Sequence, residues 1–333
     1  MRMIYSKGIS VIICCYNSGW IIKKTLDALI KQRKLEDLNW EIIVVDNACT
    51  DNTVDVVREF ILSYPTVKIQ LVSESRPGLI YAREKGISVS KYSHLLFCDD
   101  DNILCETYLT DIFRIMNSDS KIAACGGLGI ATFLMESPPK WFNDFCTAYA
   151  IGTQLDELGL VRDNFLYGAA CCFSHEALDK LYAAGFNPVL TGRLGDKLLA
   201  GDDSELTKSL MLLNYKLVAS NDLRFEHVIH SKRLSFDYLL KMYRGFGISA
   251  VILDLYNKAL EGKTVYSKKE HWKNMFLVYL RVLYYNFGGL FNCKHKVYSS
   301  YINGVLVGYK NWKYGFLKNK FNNIICLREQ AKE

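Results

Sequence analysis

The sequence predicts an α/β protein: a mostly parallel sheet flanked by helices, followed by a helical C-terminal extension. Three observations predict it. Strand-length apolar runs alternate with helix-length amphipathic stretches through the first 130 residues, the pattern of βαβ units. Two of those runs end in acid, Asp46 after Ile42–Val45 and the triplet Asp99-Asp100-Asp101 after His94–Cys98. From Phe236 onward the period is helical and the composition turns basic and aromatic.

Taken in order, Ile9–Cys15 reads as a strand and Trp20–Gln32 as a helix with Ile21, Thr25, Leu26 and Leu29 on one side. Glu41–Val45 is a strand, and Thr53–Leu62 a helix opened by the cap-like Asp51-Asn52. Val67–Val72, His94–Cys98 and Lys121–Cys125 are strands; Gly78–Val89 and Cys105–Met116 are helices. From Gly126 to Phe165 the pattern loosens, with Pro138-Pro139 and several glycines marking irregular structure. Phe165–Phe173 reads as a strand, Ser174–Ala183 and Asp202–Leu213 as helices, and Tyr215–Ala219 as a strand. The predicted division is residues 1–234 for the sheet domain and 235–333 for the helical extension.

Composition excludes several classes. Half of the 333 residues are hydrophobic and 23% are charged, so a packed core is expected and disorder is not. Eleven cysteines without a CxxC spacing indicate neither a zinc site nor a disulfide framework, but buried thiols in a reducing compartment. Met1–Lys7 is short and polar, with no secretory pattern, so a cytoplasmic location is expected. The net charge of +6 is uneven: Glu261–Glu333 holds 13 Lys/Arg against 4 Asp/Glu. The most apolar stretch there, Trp272–Phe291, contains Lys273, Arg281 and Asn286, which argues against a bilayer span. Basic charge among aromatic residues suits a peripheral position on an anionic membrane surface; a solvated face of a packed helical subdomain gives the same pattern. No recognition motif accompanies the charge, so nucleic acid is not expected as a partner.

The acidic strand ends carry the chemistry. In open α/β sheets ligands bind at the carboxyl ends of strands, and three adjacent carboxylates there repel one another unless a cation is near. A divalent metal carrying phosphates fits that place; a solvated acidic turn is the other reading. Asp46 can accept from a base or ribose donor, or belong to a capping box around Asp51. Gly201-Asp202-Asp203 opens a helical pattern, as a helix cap or as a general base. Arg76, Gly78 and Arg83 lie at a helix start, where phosphate is favoured. His227 or His230 could complete a metal shell begun by Asp101. No P-loop, GxGxxG, HExxH or GxSxG occurs, which leaves metal and carboxylates to do the chemistry.

The runs VIICCYNSGWIIKKTLDALIKQ, EIIVVDNACTD, RPGLIYAREKGI, LLFCDDD and GDDSEL, in this order between Ser10 and Gly247, resemble family 2 glycosyltransferases of the GT-A fold. The resemblance implies a metal-dependent, inverting enzyme of cell-surface polysaccharide synthesis. It would move a sugar from a nucleotide-sugar donor, a UDP-sugar by family frequency, to a hydroxyl of a glycan or lipid-linked acceptor, at the inner face of the cell membrane. By position, Asp46 would contact the base, with Cys15, Tyr16 and Asn17 nearby. Asp99 and Asp101 resemble the DxD pair, Asp99 near the ribose with Asp100 beside it, Asp101 on Mn2+ or Mg2+. Asp203 resembles the catalytic base, in a motif that here reads Asp202-Asp203, and His227 matches a histidine six residues before Arg233. Ala82-Arg83-Glu84 departs from the family's ARN segment. Trp141, Gly168, Ala169 and Asp202 are expected on the acceptor side. A sugar nucleotidyltransferase should show a Gly-rich N-terminal loop with a basic residue, which Tyr16-Asn17-Ser18-Gly19 lacks. A non-catalytic, transferase-like glycan-binding protein would have no need of Asp99, Asp101 and Asp203.

Overall fold

In the computed structural model, which describes residues 5–134, 137–192, 199–288 and 292–331, the predicted alternation is present. The chain runs β1 (Ser6–Cys15), α1 (Ile22–Ile30), β2 (Trp40–Asp46), α2 (Thr53–Ser63), β3 (Ile69–Ser73), α3 (Leu79–Val89), β4 (Tyr92–Phe97), β5 (Asn102–Leu104), α4 (Tyr108–Met116) and β6 (Ile122–Phe133). After a short α5 (Phe142–Phe145) come β7 (Cys171–Ser174), α6 (His175–Ala183), α7 (Asp202–Leu212) and β8 (Lys216–Ile229). Four helices follow: α8 (Phe236–Leu260), α9 (Lys268–Gly288), α10 (Cys293–Asn311) and α11 (Tyr314–Gln330).

The eight strands form one sheet in the order β3-β2-β1-β4-β7-β6-β8-β5. β3, β2, β1 and β4 pair in parallel, as do β6 and β8, whereas β7 is antiparallel to both its neighbours and β5 to β8. Parallel strands covered on both faces need unbroken apolar runs, and β1 supplies one, buried from Gly8 through Ile13. Ile22, Leu26 and Leu29 of α1, Val57 and Phe60 of α2, and Leu109, Ile112 and Met116 of α4 pack into the core cluster with β1 and β2.

β4 and β5 are joined by a tight turn, closed by Asn102 N donating to Asp99 O at 3.1 Å. Yet three strands separate them in the sheet. On a flat sheet they would lie about 19 Å apart at about 4.8 Å per step, more than a closed turn spans. That half of the sheet must curl, and the curl carries the acidic turn to β8.

The structure revises several sequence expectations. Phe165–Phe173 is a strand only from Cys171, because Ala170 has φ 49° and residues 162–164 form a 3-10 turn. The strands expected at Lys121–Cys125 and Tyr215–Ala219 continue to Phe133 and Ile229 and pair along their length. The glycines that suggested a loop are the reason: a Cβ on Gly129 would stand 2.0 Å from Ala150 O. β5, three residues long, is too short for a period to reveal. All eleven cysteines are free, and Cys15, Cys98, Cys125, Cys171 and Cys172 are buried.

Two compact units divide the chain. One comprises Met1–Glu136, Cys146–Lys180 and Tyr215–Ile229; the other comprises Ser137–Phe145, Leu181–Asn214 and His230–Glu333. The division interleaves along the sequence instead of falling once after residue 234. The reason is that α7 belongs with the helices: Glu205 of α7 pairs with Lys320 of α11 at 3.0 Å. Leu212, Tyr256, Val278, Ile302 and Phe321 gather in the second unit's core. Helices α8 and α10 are capped by Ser235 Oγ and Asn292 Oδ1, which accept from the Tyr238 and Lys294 amides at 3.2 and 2.8 Å. None of the described helices is long and apolar enough to cross a membrane. The apolar stretch Trp272–Phe291 is described to residue 288; Phe291 lies outside the described residues.

Candidate functional site

In the first unit β2, β1 and β4 end side by side, with Cys15 in register with Asp46 and Ile12 with Phe97. Their loops are stitched together. Asn17, at φ 56°, accepts at Oδ1 from the Thr50 amide at 2.8 Å, and its own amide donates to Cys49 Sγ at 3.3 Å. The Ser18 amide donates to Thr53 Oγ1 at 2.7 Å. Asp46 accepts from the Cys49 amide at 2.9 Å and from Ser73 Oγ at 3.2 Å, which fixes its carboxylate at the β2 end. Tyr16, in the loop after β1, is 60% exposed. Cys15, expected at the nucleotide, instead buries its side chain in the core; burial drives its thiol well up, with the Asp100 charge adding. Its carbonyl accepts from the Asn47 amide at 2.9 Å.

Asn47 is a residue the sequence reasoning passed over. Its side-chain amide donates to Arg76 O at 2.7 Å and Glu74 O at 3.2 Å, and its Oδ1 accepts from the Gly78 amide at 2.9 Å. One side chain thereby ties the β2 end to the start of α3. Gly78 has φ 135°, a region that favours glycine. Arg76 grips Glu74 with two nitrogens, at 3.0 and 2.9 Å, and lies over Tyr81. That hydrogen-bonded pairing holds the Glu74 carboxyl down at about 2, so Arg76 brings little uncompensated charge to a phosphate. Arg83 lies 5.1 Å over the Phe97 ring at the end of β4. The Cys14 thiol nearby is pushed up to about 12 by burial first, with Arg83 lowering it and Asp99 and Asp100 raising it. Arg83 therefore shares its surroundings with the acidic triplet.

The three adjacent carboxyl residues do not crowd one point. Asp100 bonds Ser18 Oγ, and its carbonyl accepts from Thr25 Oγ1 at 2.6 Å, binding the triplet to the β1–α1 loop. Asp101 is buried and turns toward β8, where its Oδ1 lies 3.4 Å from His227 Nε2. Asn102, fully buried, accepts from the Asp99 amide at 3.2 Å and donates to Asp101 Oδ1 at 3.3 Å. It follows the triplet directly in sequence, and that adjacency was the only signal for it. The carbonyl of Tyr149 lies 2.7 Å from His227 Nδ1. A carbonyl can only accept, so Nδ1 carries a proton, and Nε2 is the ring atom that faces the Asp101 carboxylate. A carboxylate this close to Nε2 stabilises a proton or a cation placed between them.

Of the two, the Asp101 carboxylate is the donor suited to Mn2+ or Mg2+, whereas an imidazole nitrogen is more usual on softer divalent ions; each is held by an outer hydrogen bond. The expected trio with Asp99 does not gather: among the described residues no group of three or more His, Cys, Asp or Glu takes up metal-binding geometry. Such an ion would take its other positions from water or phosphate oxygens, as Mg2+ sites on phosphate substrates do. His230 Nδ1 accepts from the Lys232 amide at 3.1 Å and caps a 3-10 turn. Gly168 and Ala169 are buried, the latter in the core cluster. Next to them the Ala170 carbonyl accepts from Tyr108 Oη at 2.5 Å.

In the second unit Asp202 and Asp203 occupy the first turn of α7, after Gly201 at φ 100°. Asp203 Oδ1 accepts from the Ser204 amide at 2.7 Å. Glu205, also missed from the sequence, is fully buried: it accepts from the Val189 and Leu190 amides at 2.9 and 2.7 Å and from Tyr256 Oη at 2.9 Å, and pairs with Lys320. Lys320 donates onward to Asn187 O at 2.7 Å. The start of α7 is thus fixed by its one buried acid, whereas Asp202 and Asp203 are half-buried. Trp141 meets Phe236 edge-on at 6.1 Å between ring centres.

Comparison with known proteins bears on family and fold. Residues 10–167 match the model of glycosyl transferase family 2. A cholesterol galactosyltransferase of Borreliella burgdorferi is 28% identical over 124 residues, 37% of this chain and 33% of that protein. A poly(ribitol-phosphate) beta-glucosyltransferase of Bacillus spizizenii is 26% identical over 167 residues, 47% of this chain and 26% of that protein. The matched part spans a third or less of the length of these relatives. Among solved structures, a mannosyltransferase of Pyrobaculum calidifontis in complex with GDP-Man and Mn2+ superposes with a TM-score of 0.55 at 15% identity, covering 99% of this chain and 91% of that one. The fold is GT-A.

Proposed function

We propose, from the match of residues 10–167 to the model of glycosyl transferase family 2, that this chain transfers a sugar from a nucleotide-sugar donor to a hydroxyl of a glycan or lipid-linked acceptor. The observation that carries the reading is Asp101 facing His227 at 3.4 Å, with His227 Nδ1 held by Tyr149 O. Asp46, with Tyr16 and Asn17, receives the nucleoside at the adjoining strand ends, and a UDP-sugar is the first donor to test. Arg83 and Asp99 lie toward the ribose and diphosphate. Asp101, with His227 beside it, would hold Mn2+ or Mg2+, which would supply charge stabilisation for the oxygens of the departing diphosphate.

Asp203 is the general base of this reading. Its carboxylate takes the proton of the acceptor hydroxyl as that oxygen bonds to the anomeric carbon. The bond from that carbon to the phosphate oxygen breaks, and the electron pair leaves with the nucleoside diphosphate. Attack from the face opposite the leaving group inverts the anomeric centre. General-base assistance is worth about 10²- to 10⁴-fold. Asp203→Asn is therefore expected to keep donor affinity while turnover falls at least ~10²-fold; near-normal turnover removes Asp203 from the role. Trp141, Gly168, Ala169 and Asp202 are assigned to the acceptor side. The names of the relatives, one acting on cholesterol and one on poly(ribitol-phosphate), support an acceptor that is a membrane lipid or an envelope polymer, and hence a place at the membrane surface.

A further inference from the structure

Helix α9 is apolar on two sides. Toward the helical unit it buries Val278 and Val282 in the core. Toward solvent it presents Trp272, Phe276, Tyr279, Leu280, Leu283 and Tyr284, each between 45% and 65% exposed. Their spacing of three and four residues makes one continuous stripe along the helix. Soluble monomers rarely leave a stripe of this size uncovered unless it meets something.

The charges beside the stripe say what. Lys268, Lys269, Lys273 and Arg281 of the same helix are all exposed. Glu270, the single acidic residue in α9, is paired with Lys258 at 3.2 Å. A second copy of this chain laid on the stripe would set four cations against four cations. An anionic surface would be drawn to them. Trp and Tyr prefer the boundary between headgroup and acyl chain, and Lys and Arg stems reach from apolar surface to phosphate. With no helix here fit to cross a membrane among the described residues, the arrangement suits a helix lying in the interfacial plane.

We propose that α9 docks this chain on an anionic lipid bilayer, with Trp272, Phe276 and Leu280 among the acyl chains and Lys268, Lys269, Lys273 and Arg281 at the headgroup phosphates. The proposal deepens the acceptor side of the preceding reading. Its test scores vesicle binding apart from transfer, so either can fail alone.

The experiment is flotation of the full chain with phosphatidylcholine vesicles, with and without phosphatidylglycerol, across a salt series. The chain binds the anionic vesicles, less so as salt rises, and its tryptophan emission shifts to the blue. The triple variant Trp272→Ser/Phe276→Ser/Leu280→Ser loses at least about tenfold in binding, and Lys268→Gln/Lys269→Gln/Lys273→Gln loses the salt dependence. Nucleotide-sugar binding is unchanged in both. Circular dichroism checks folding, and Phe276→Ser alone, expected to weaken binding in the same direction, serves if the triple variant unfolds. The proposal is overturned by absence of binding to anionic vesicles at low salt, or by equal binding of the apolar variants. Self-association of the wild type that the triple variant abolishes also overturns it, since a second copy would then cover the stripe.

Discussion

Asp101 and Asn102 stand next to each other, and the second decides where the first points. Asn102 holds both the Asp99 amide and the Asp101 carboxylate from a fully buried position. Outer hydrogen bonds of this kind are worth about 10- to 100-fold in metal affinity. Asn102→Ala should weaken Mn2+-dependent donor binding by that factor, read by calorimetry, and unchanged affinity would remove its orienting role. A second residue-scale prediction concerns pH. Burial pushes His94 down to about 4, against a partly opposing hydrogen bond from Asn117 at 3.1 Å. Between the unfolded value near 6.5 and that folded value, the unfolded chain binds a proton that the fold refuses. Stability is therefore full above this window and falls as pH drops through it, by up to about 3 kcal/mol. Denaturant midpoints measured from pH 7 to 4 should show the slope, and His94→Gln should flatten it. At this scale the sequence was partly legible. The acids stood out because like charges rarely cluster after a buried strand. Asn47, Asn102 and Glu205 did not, because hydrogen bonds to distant backbone leave no local pattern.

At the scale of elements, close backbone approach and buried pairing explain where the sequence misled. Glycine at 126, 127 and 129 resembles a loop in one dimension and is a strand in three, since β6 lies against the chain at Ala150. Gly129→Val should destabilise the sheet by at least about 2 kcal/mol, measured by urea denaturation; a neutral effect would mean the backbone moves aside. Helix α7 looked like the end of a sheet domain because its acids precede an ordinary apolar period. Its anchor is a lysine more than 100 positions away: Glu205 meets Lys320 of α11 at 3.0 Å. Removing one partner of a buried pair leaves the other charge stranded, at about 3–5 kcal/mol. Lys320→Met should therefore cost more than the double variant Glu205→Gln/Lys320→Met, a difference a double-mutant cycle reads directly. Equal costs would show that the pair contributes no coupling.

For the whole molecule, the α/β class, the alternation of strands and helices up to the acidic strand ends and the helical C-terminal region followed from periodicity and strand-end acids, signals that span many residues. The interleaved division did not, because it depends on which helix α7 packs against. Each unit carries a separable part of the functional reading: metal and donor in the sheet unit, base and lipid-facing helix in the helical unit. The account rests most heavily on the first part. Titration of UDP, GDP and dTDP into the full chain by calorimetry, with and without Mn2+, tests it most directly, with Asp101→Ala as the matched control. The account predicts that one nucleoside diphosphate binds in a Mn2+-dependent way and that Asp101→Ala abolishes the metal dependence. Binding of equal strength without metal, or unaltered in Asp101→Ala, would contradict it.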